Sequence, residues 1–488
     1  MPVKSALDID QIFDHISYLK GSSVIRMLSN HLTVEIFLKG VGDYLKAHAY
    51  GNATTDDLWL ALSGASGQDV KTFMDPWIRR IGFPVVTVAE EPGQISIRQS
   101  RFIKSGDAKP EEDETLWWIP VGLKTGQPTK IVHSALQQKQ DTVRNVDDAF
   151  YKINADQSGF YRTNYPPQRL SKLASAADKL STEDKVGIIG DAAALAISGD
   201  ATTPALLSFV EGFQHEQEYV VWSQIQMSLA KARSVFSDNK QISDALKKFT
   251  LQLCSPAVEK VGWDFPADED FLTGQLRKLL LAMAAGAGHE GTISTGKKNF
   301  EAWKSGDAKA INQNLRSTIF NMVVANGGKD EYEAVKAEYR KSTSGEAKEI
   351  CLSAMGRTKD LALAQDFLNF VLSDEVSIQD CHNGPAAVGA NNDTRLEVWK
   401  FIQNEWDGKL QKVRNAATVV LDRWVKSGLN SFSDRKVDQE IQAFFKDKDV
   451  SGFDRSLAQC SDNIQANAGY KEKDSATLLE WLKANRYA

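Results

Sequence analysis

A tyrosine near the start of the chain is the residue best suited to chemistry. It lies in the stretch Phe13-Asp14-His15-Ile16-Ser17-Tyr18-Leu19-Lys20-Gly21. This stretch predicts a turn that runs into a helix, because Leu19, Val24 and Leu28 recur at helical spacing on one face. A tyrosine at the mouth of a helix can present its hydroxyl to a cleft, and a phenol donates a hydrogen bond while it is neutral. Position alone favours a simpler interpretation, an aromatic side chain packed at the helix start with its hydroxyl on a backbone carbonyl.

The residues around this tyrosine resemble a segment of the gluzincin aminopeptidases. The resemblance rests on Ile16-Ser17-Tyr18, on Lys20-Gly21 and on the helix that carries Met27-Leu28. This zinc family includes the puromycin-sensitive, alanyl and endoplasmic-reticulum aminopeptidases. The resemblance implies that Tyr18 donates a hydrogen bond to the oxyanion that forms when zinc-bound water attacks the N-terminal peptide bond, a stabilisation on the order of 3 kcal/mol. It also implies that Phe13 helps to wall the pocket for the first side chain of the substrate.

The histidines of the sequence do not supply the zinc site that this family requires. A zinc peptidase needs H-E-x-x-H on a helix, plus a further Glu ligand downstream. No two of the seven histidines are four residues apart. The nearest approaches, His215-Glu216-Gln217-Glu218-Tyr219 and His289-Glu290-Gly291-Thr292-Ile293, lack the second histidine. In relatives the zinc ligands precede the tyrosine segment, so we expect the chain to begin after them: zinc belongs to the intact enzyme, and this chain binds none.

Composition and charge exclude some classes of partner. The 488 residues are 42% hydrophobic and 25% charged, as in an ordinary globular protein long enough for several domains. A net charge of −6 without a Lys/Arg stripe argues against nucleic acid as a partner. No apolar run approaches ~20 residues, so we expect no membrane span. Four scattered cysteines without C-x-x-C favour buried thiols, with a disulfide as the alternative. Together with a resemblance to the puromycin-sensitive branch, they predict a cytoplasmic protein.

From about residue 6 to residue 82 the pattern is helical. Thr33, Thr54 and Asp69 each precede an apolar stripe and are expected to cap a helix. The stripe after Thr33 comprises Val34, Phe37, Leu38, Val41, Tyr44 and Leu45. Gly82 ends the last helix, and Pro84 prevents its resumption. These one-sided faces need a surface to pack on. Together with the resemblance to the family, this predicts that residues 1–83 are the C-terminal helical part of a thermolysin-like catalytic domain.

The period of the pattern then changes to that of short strands. Turn residues separate five β-branched or aromatic segments, residues 85–88, 95–99, 116–121, 130–132 and 160–163. These segments predict a small β-sandwich over residues 84–170. Its closing stretch, residues 154–165, resembles the closing strands of the same domain in the family, and we expect a structural role for it.

Residues 171–488 return to a helical pattern. Ser181 and Asp184 predict a capping box at the start of a helix. Many short helices follow, with breaks expected at Gly199, Pro204, Pro256, Gly286, Gly327, Gly345, Gly356, Gly384-Pro385 and Gly428. Such a series predicts an α-solenoid of the armadillo/HEAT kind, so the fold class is mainly α with a small β domain. The resemblance implies that the solenoid closes over the active site and receives the distal part of the substrate.

Two hypotheses for function follow. In the first, the chain is the C-terminal portion of a zinc aminopeptidase that removes N-terminal residues from peptides. Tyr18 and Phe13 then serve the intact enzyme, the chain alone is inactive because it activates no water, and the partners are peptide substrates and the missing N-terminal catalytic half.

The second hypothesis is a non-enzymatic helical module that binds peptides or a partner protein. Such a module should bury the apolar faces of residues 6–82 within itself, whereas a piece of a larger enzyme should leave them exposed. A Ser or Cys hydrolase is disfavoured, because the sequence contains no G-x-S-x-G elbow.

Overall fold

The computed structural model describes residues 16–106, 109–126 and 129–488. The chain divides into two compact units. The first consists of Met1–Leu195 with Ala205–Gly212, and the second of Ala196–Pro204 with Phe213–Ala488. Buried apolar side chains form a core in each unit.

The first unit begins with helices, as the sequence predicts. A π-helical turn, Ile16–Lys20, runs directly into a series of four α-helices: α1 Gly21–Leu32, α2 Val34–Ala47, α3 Thr55–Ser66 and α4 Val70–Arg79. Gly82 follows α4 with a positive φ of 88°, a conformation that suits glycine, and Pro84 opens the first strand.

Two of the three predicted helix caps are confirmed. The Asp57 carboxylate accepts from the backbone N–H of Thr54 at 2.7 Å, which closes a capping box on α3, and Asp69 accepts from the N–H of Thr72 at 3.1 Å on α4. The prediction for Thr33 is wrong, because its side chain makes no capping bond. Thr33 alone joins α1 to α2 and takes a positive φ of 72°, whereas a capping residue needs an extended backbone.

Two small sheets follow α4 and match the predicted β domain. Their strands are β1 Pro84–Glu91, β2 Gln94–Arg101, β3 Ile119–Thr125, β4 Lys130–Leu136, β5 Gln140–Arg144, β6 Tyr151–Ile153 and β7 Arg162–Asn164. One sheet has the order β5-β2-β1-β7 and the other β4-β3-β6. Strand β1 pairs in parallel with β7 and antiparallel with β2. The sequence pattern missed β5 and β6, since β5 is exposed and polar and β6 has only three residues.

Helices account for most of the chain after residue 166. They are α5 Pro167–Ser175, α6 Thr182–Ser198, α7 Thr203–Val210, α8 Tyr219–Val235, α9 Lys240–Val261, α10 Phe271–Ala287, α11 Glu290–Lys304, α12 Arg316–Asn326, α13 Lys329–Lys341, α14 Gly345–Met355, α15 Leu361–Phe370, α16 Asn383–Gly389, α17 Arg395–Glu405, α18 Gln411–Arg414, α19 Thr418–Leu429, α20 Arg435–Phe445 and α21 Asp454–Ala484.

The predicted break at Pro256 is wrong, because this residue lies inside α9. The break predicted at Gly286 falls one residue before the end of α10 at Ala287. Leu253 and Val258, on either side of the proline, are buried, and α9 packs along α10. This packing outweighs the cost of about 3 kcal/mol that a proline imposes within a helix.

In the second unit, helices α9 to α14 pack mainly on helices one or two positions away in sequence, and α12 packs closely on α14. The last helix, α21, packs against α8 and α9 near the start of the unit and against α19 and α20 near its end. In a simple α-solenoid each helix contacts only its near neighbours in sequence, whereas α21 also contacts α8 and α9. The α-solenoid therefore stays a prediction. No helix in the described part of the chain combines the length and the apolar character needed to cross a membrane.

Candidate active-site tyrosine

Tyr18 lies on the π-helical turn Ile16–Lys20, immediately before α1. It is 58% exposed, and Ile16 and Leu19 on the same turn are exposed as well. The interpretation of Tyr18 as an aromatic side chain packed at the helix start does not fit this exposure. Phe13, the predicted pocket wall, lies outside the described residues.

Helix α1 packs into the first unit through a buried apolar face, and the sequence predicts some of the residues on this face. Val24 and Leu28 are buried at the predicted positions, together with Met27. Leu19, expected on the same face, is exposed instead. The reason is the π-helical turn, whose i→i+5 bonding changes the phase between Leu19 and the helix that follows. The Ser23 hydroxyl, on the first turn of α1, donates to the Leu19 carbonyl at 2.7 Å.

Two cations of this segment donate to backbone carbonyls. Lys20 Nζ donates to the carbonyl oxygen of Gly82 at 3.0 Å and to that of Arg80 at 3.4 Å, just after α4. Arg26 donates through Nη1 to the Gln157 carbonyl at 2.6 Å and through Nη2 to the Asp156 carbonyl at 3.1 Å. Burial lowers the pKa of Lys20. The segment of Tyr18 is thus bonded to two other segments of the first unit.

Buried charges fix the loop that receives Arg26. Asp184 is fully buried and accepts from Lys124 Nζ at 2.5 Å and from Lys152 Nζ at 2.7 Å. It also accepts from the backbone N–H of Asp156 at 2.7 Å. Burial acts to raise the pKa of Asp184, but the two lysines outweigh it and hold this pKa below its usual range. Asp184 and Ser181 also close the predicted capping box of α6, at 3.2 and 3.3 Å.

A cleft of about 280 Å³ opens beside this loop. Ser23 and Arg26 of α1 line it, together with the loop residues 157–162 and with Asp191 of α6. Asp191 is buried and accepts from Arg162 Nη1 at 3.1 Å. Burial raises the pKa of Asp191 in spite of this partner. The closing stretch of the β domain, for which the sequence predicts only a structural role, therefore lines a polar cleft next to α1.

The two segments that come nearest to a zinc motif, His215-Glu216 and His289-Glu290, lie at the starts of helices. His289 Nδ1 accepts the N–H of Thr292 at 3.2 Å and so caps α11. The Glu216 carboxylate accepts the N–H groups of Gln217 and Glu218 at 2.7 and 2.9 Å, just before α8. Neither pair is arranged as a metal ligand beside a general base.

Another histidine, His31, occupies an aromatic cluster. Its ring contacts those of Phe73 and Trp118, at centroid distances of 5.2 and 4.8 Å, and its Nε2 lies 2.9 Å from Gln68 Oε1. Burial lowers its pKa. Within residues 16–106, 109–126 and 129–488, no group of three or more His, Cys, Asp or Glu side chains could hold a metal ion. The described residues therefore do not fit a zinc site.

The four cysteines are buried and unpaired, as the favoured interpretation of the sequence predicts. Burial raises the pKa of Cys254, Cys351 and Cys460 to about 12 and that of Cys381 to about 11. Since the thiolate is the nucleophilic form, these thiols are poor candidates for a catalytic nucleophile.

Sequence reasoning missed the contacts of Lys20 and Arg26, although a signal was present. Helix α1 contains no acidic residue, so neither cation has an i,i+3 or i,i+4 partner within the helix. A cation on such a helix must find its acceptors elsewhere in the fold. The two acceptors of Arg26 lie in a loop where Asp156 and Gln157 have positive φ angles. No sequence pattern in this loop indicates that conformation.

Two family models match most of the chain. The ERAP1-like C-terminal domain matches residues 150–466, and the peptidase family M1 domain matches residues 1–77.

Curated proteins match along the full length of the chain. It is 38% identical to Aminopeptidase 2 of Candida albicans over 494 aligned residues, which cover 100% of the chain and 53% of that protein. It is 36% identical to the alanine/arginine aminopeptidase of Saccharomyces cerevisiae, covering 100% of the chain and 57% of that protein. It is 30% identical to Aminopeptidase M1 of Arabidopsis thaliana, covering 98% and 56%. The chain spans about half the length of these relatives.

Proposed function

The chain belongs to the M1 family of zinc aminopeptidases, and on this premise we propose that it is the C-terminal portion of an enzyme that removes N-terminal residues from peptides. The observation that carries the proposal is the position of Tyr18 on an exposed turn of the segment that matches the M1 domain. The relatives named above are all aminopeptidases of about twice this length.

In this proposal Tyr18 is the catalytic residue of the chain. Its neutral hydroxyl donates a hydrogen bond to the oxyanion that forms at the N-terminal peptide bond. A donor aimed at developing charge stabilises the transition state more than the ground state, which is the condition for raising kcat. Phe13 walls the pocket for the first side chain of the peptide.

The remaining parts of the chain would support this chemistry. Residues 1–83 form the C-terminal helical part of the catalytic domain, residues 84–170 a β-sandwich and residues 171–488 a helical solenoid. The solenoid encloses the distal part of the peptide substrate. Four buried thiols support a reducing compartment, and we place the protein in the cytoplasm.

The chain alone should be inactive. The M1 family is zinc-dependent, but the described residues do not offer ligands for the metal. The N-terminal catalytic half would therefore be a partner of the chain in the intact enzyme. The first test is hydrolysis of a panel of fluorogenic aminoacyl amides by the purified chain, with and without zinc, with metal analysis of the same sample. Stoichiometric zinc with chelator-sensitive turnover would contradict the expectation of an inactive chain.

A chimaera tests the role of Tyr18. Residues 1–488 are joined to the part of the Candida albicans Aminopeptidase 2 that lies outside the aligned region. If the chimaera hydrolyses aminoacyl amides, Tyr18→Phe should lower kcat about 100-fold with little change in KM, because the lost donor acts mainly in the transition state. Tyr50→Phe, at another exposed tyrosine, is the matched control and should leave kcat unchanged. An unchanged kcat in Tyr18→Phe would reject the proposed role.

A further inference from the structure

Two cations follow Tyr18 in sequence, Lys20 and Arg26, and both donate to carbonyls of other segments. We propose that Lys20 and Arg26 are positioning residues, which fix the turn of Tyr18 by holding α1 to the end of α4 and to the loop of residues 154–157. The catalytic importance of this positioning rests on the proposed function of Tyr18. The positioning itself does not, and it can be measured without turnover.

The contact of Lys20 uses two carbonyl groups of the backbone just after α4. Arg80 is the C-cap residue of α4, and its carbonyl and that of Gly82 both accept from Lys20 Nζ. Lys20 is half-buried and takes part in no ion pair among the described residues. Among the described residues, its ammonium group is bonded to these two carbonyls. A hydrogen bond from a charged donor contributes more than one between neutral groups.

The contact of Arg26 uses the planar fork of the guanidinium group. Its two terminal nitrogens donate to two successive carbonyls, those of Asp156 and Gln157. Such paired donation fixes direction as well as distance. The two acceptor residues have positive φ angles of 54° and 47°, so both carbonyls come from left-handed backbone. Non-glycine residues hold this conformation only where the surroundings impose it.

The surroundings of the loop do impose it. The N–H of Asp156 is bonded to the buried Asp184, and the Asp156 carboxylate accepts from Lys124 Nζ at 2.8 Å and from the Ser181 hydroxyl at 2.8 Å. Arg26 is thus bonded to a loop that is fixed by the buried charges. This rigid support distinguishes its contact from an ordinary surface hydrogen bond.

The two contacts together can fix orientation, which one contact cannot. Lys20 and Arg26 are six residues apart, about 9 Å along a helix. A single contact would leave α1 able to rotate about that point. Two contacts to different segments, combined with the buried face of α1, remove this freedom. Tyr18 lies two residues before the first contact, so its position depends on both.

Fluorine NMR of the full 488-residue chain, labelled with 3-fluorotyrosine, tests the proposal. The sequence contains eleven tyrosines, and the Tyr18→Phe variant identifies the signal of Tyr18. Lys20→Ala and Arg26→Ala should each shift or broaden this signal and leave those of tyrosines in the second unit unchanged. Amide hydrogen exchange in residues 21–28 should become about tenfold faster in both variants.

Three further variants separate positioning from a general loss of structure. Arg26→Lys keeps one charged donor and should restore the Tyr18 signal in part. Lys39→Ala on α2 and Arg79→Ala on α4 remove exposed cations of the same helical segment and should change neither readout. If Arg26→Ala does not fold, the Tyr18 signal and amide exchange are measured in Arg26→Lys and Lys20→Ala instead. The proposal is overturned if both alanine variants leave the position and width of the Tyr18 signal unchanged and keep amide exchange rates within twofold of the parent. Where Arg26→Ala does not fold, the same result in Lys20→Ala and Arg26→Lys overturns it.

The two proposals fail in different ways. If Tyr18→Phe leaves kcat of the chimaera unchanged while Lys20→Ala and Arg26→Ala disturb the Tyr18 signal, the catalytic role fails and the positioning stands. If Tyr18→Phe lowers kcat while neither alanine variant disturbs the signal, the positioning fails and the catalytic role stands.

Discussion

Residues 16–83 leave much more apolar surface exposed than residues 213–488, although both segments are helical. Ten large hydrophobic side chains are exposed among the 68 residues 16–83, against seven among the 276 residues 213–488. Helix α2 shows the difference most clearly. Val34, Leu38 and Leu45 of its predicted apolar stripe are exposed, and Gly40 is its one buried residue.

The second segment closes its apolar stripes with aromatic side chains. The Trp406 ring meets that of Phe445 at a centroid distance of 5.1 Å and that of Phe453 at 6.1 Å. Trp424 on α19 is buried beside Phe401. The comparison teaches that a one-sided apolar stripe identifies a helix without telling whether anything covers the stripe.

The exposed stripe of α2 bears on the two hypotheses for function. A self-contained binding module should bury the apolar faces of its helices, because an exposed apolar patch favours association with other molecules. The first segment does not meet this condition within the described residues. This exposure favours the hypothesis that the chain is the C-terminal portion of an aminopeptidase, in which the rest of the catalytic domain covers this face.

The largest effect on stability is expected from Trp424→Ala in the second segment. Truncation of this buried ring should lower the free energy of unfolding by about 3–5 kcal/mol, because it leaves a cavity in a packed core. Urea unfolding followed by circular dichroism measures the loss. Val419→Ala, at an exposed position of the same helix, is the control and should stay within about 0.5 kcal/mol of the parent. Equal losses in the two variants would show that α19 is not packed as described.

The next effect concerns the charges that hold the loop beside α1. Asp184→Asn removes the carboxylate shared by Lys124 and Lys152 and should cost about 3 kcal/mol at neutral pH, because two buried ammonium groups lose the carboxylate they share, although Lys124 keeps its contact with Asp156. The pKa of Asp184 is lower in the folded chain than in the unfolded chain. Its stabilising contribution is therefore present above the unfolded pKa of about 3.9 and is lost as the pH falls through the lowered folded pKa.

Asp191→Asn provides a matched control with the opposite pH trend. The pKa of Asp191 is raised in the folded chain, so its contribution is fully present below the unfolded pKa and is lost as the pH rises through the folded pKa. The stability difference between the parent and Asp184→Asn should grow from acidic to neutral pH, while the difference for Asp191→Asn should shrink. Urea unfolding at a series of pH values measures both. Parallel trends would contradict the assigned pKa directions.

The elements that the sequence predicts well are those whose signal is local. The caps formed by Thr54, Asp69 and Ser181 depend on residues three positions away, and the structure contains all three. Thr33 failed because its backbone is set by a one-residue connection between two helices. Pro256 failed as a helix break because contacts with a neighbouring helix outweigh its local preference.

The surroundings of Tyr18 could be predicted only in part. The motif singles out Tyr18, its role stays a prediction, and the structure adds that its side chain is exposed. The acceptors of Lys20 and Arg26 lie about 60 and 130 residues away in sequence. Such contacts depend on the path of the whole chain, and a single sequence carries no local pattern for them. The left-handed backbone at Asp156 and Gln157 was missed for the same reason.

The smallest effect on stability, and the most direct test of the comparison, is expected on α2. The double variant Leu38→Gln/Leu45→Gln should stay within about 0.5 kcal/mol of the parent for each substitution, because both side chains are exposed and glutamine has a helix propensity close to that of leucine. Its binding of a hydrophobic dye such as ANS should fall, since the exposed stripe has lost two of its apolar side chains. Leu28→Ala, on the buried face of α1, is the contrasting variant and should cost about 2–5 kcal/mol. If the double variant instead loses as much stability as Leu28→Ala, then the stripe of α2 is covered in solution, and the contrast between the two helical segments disappears.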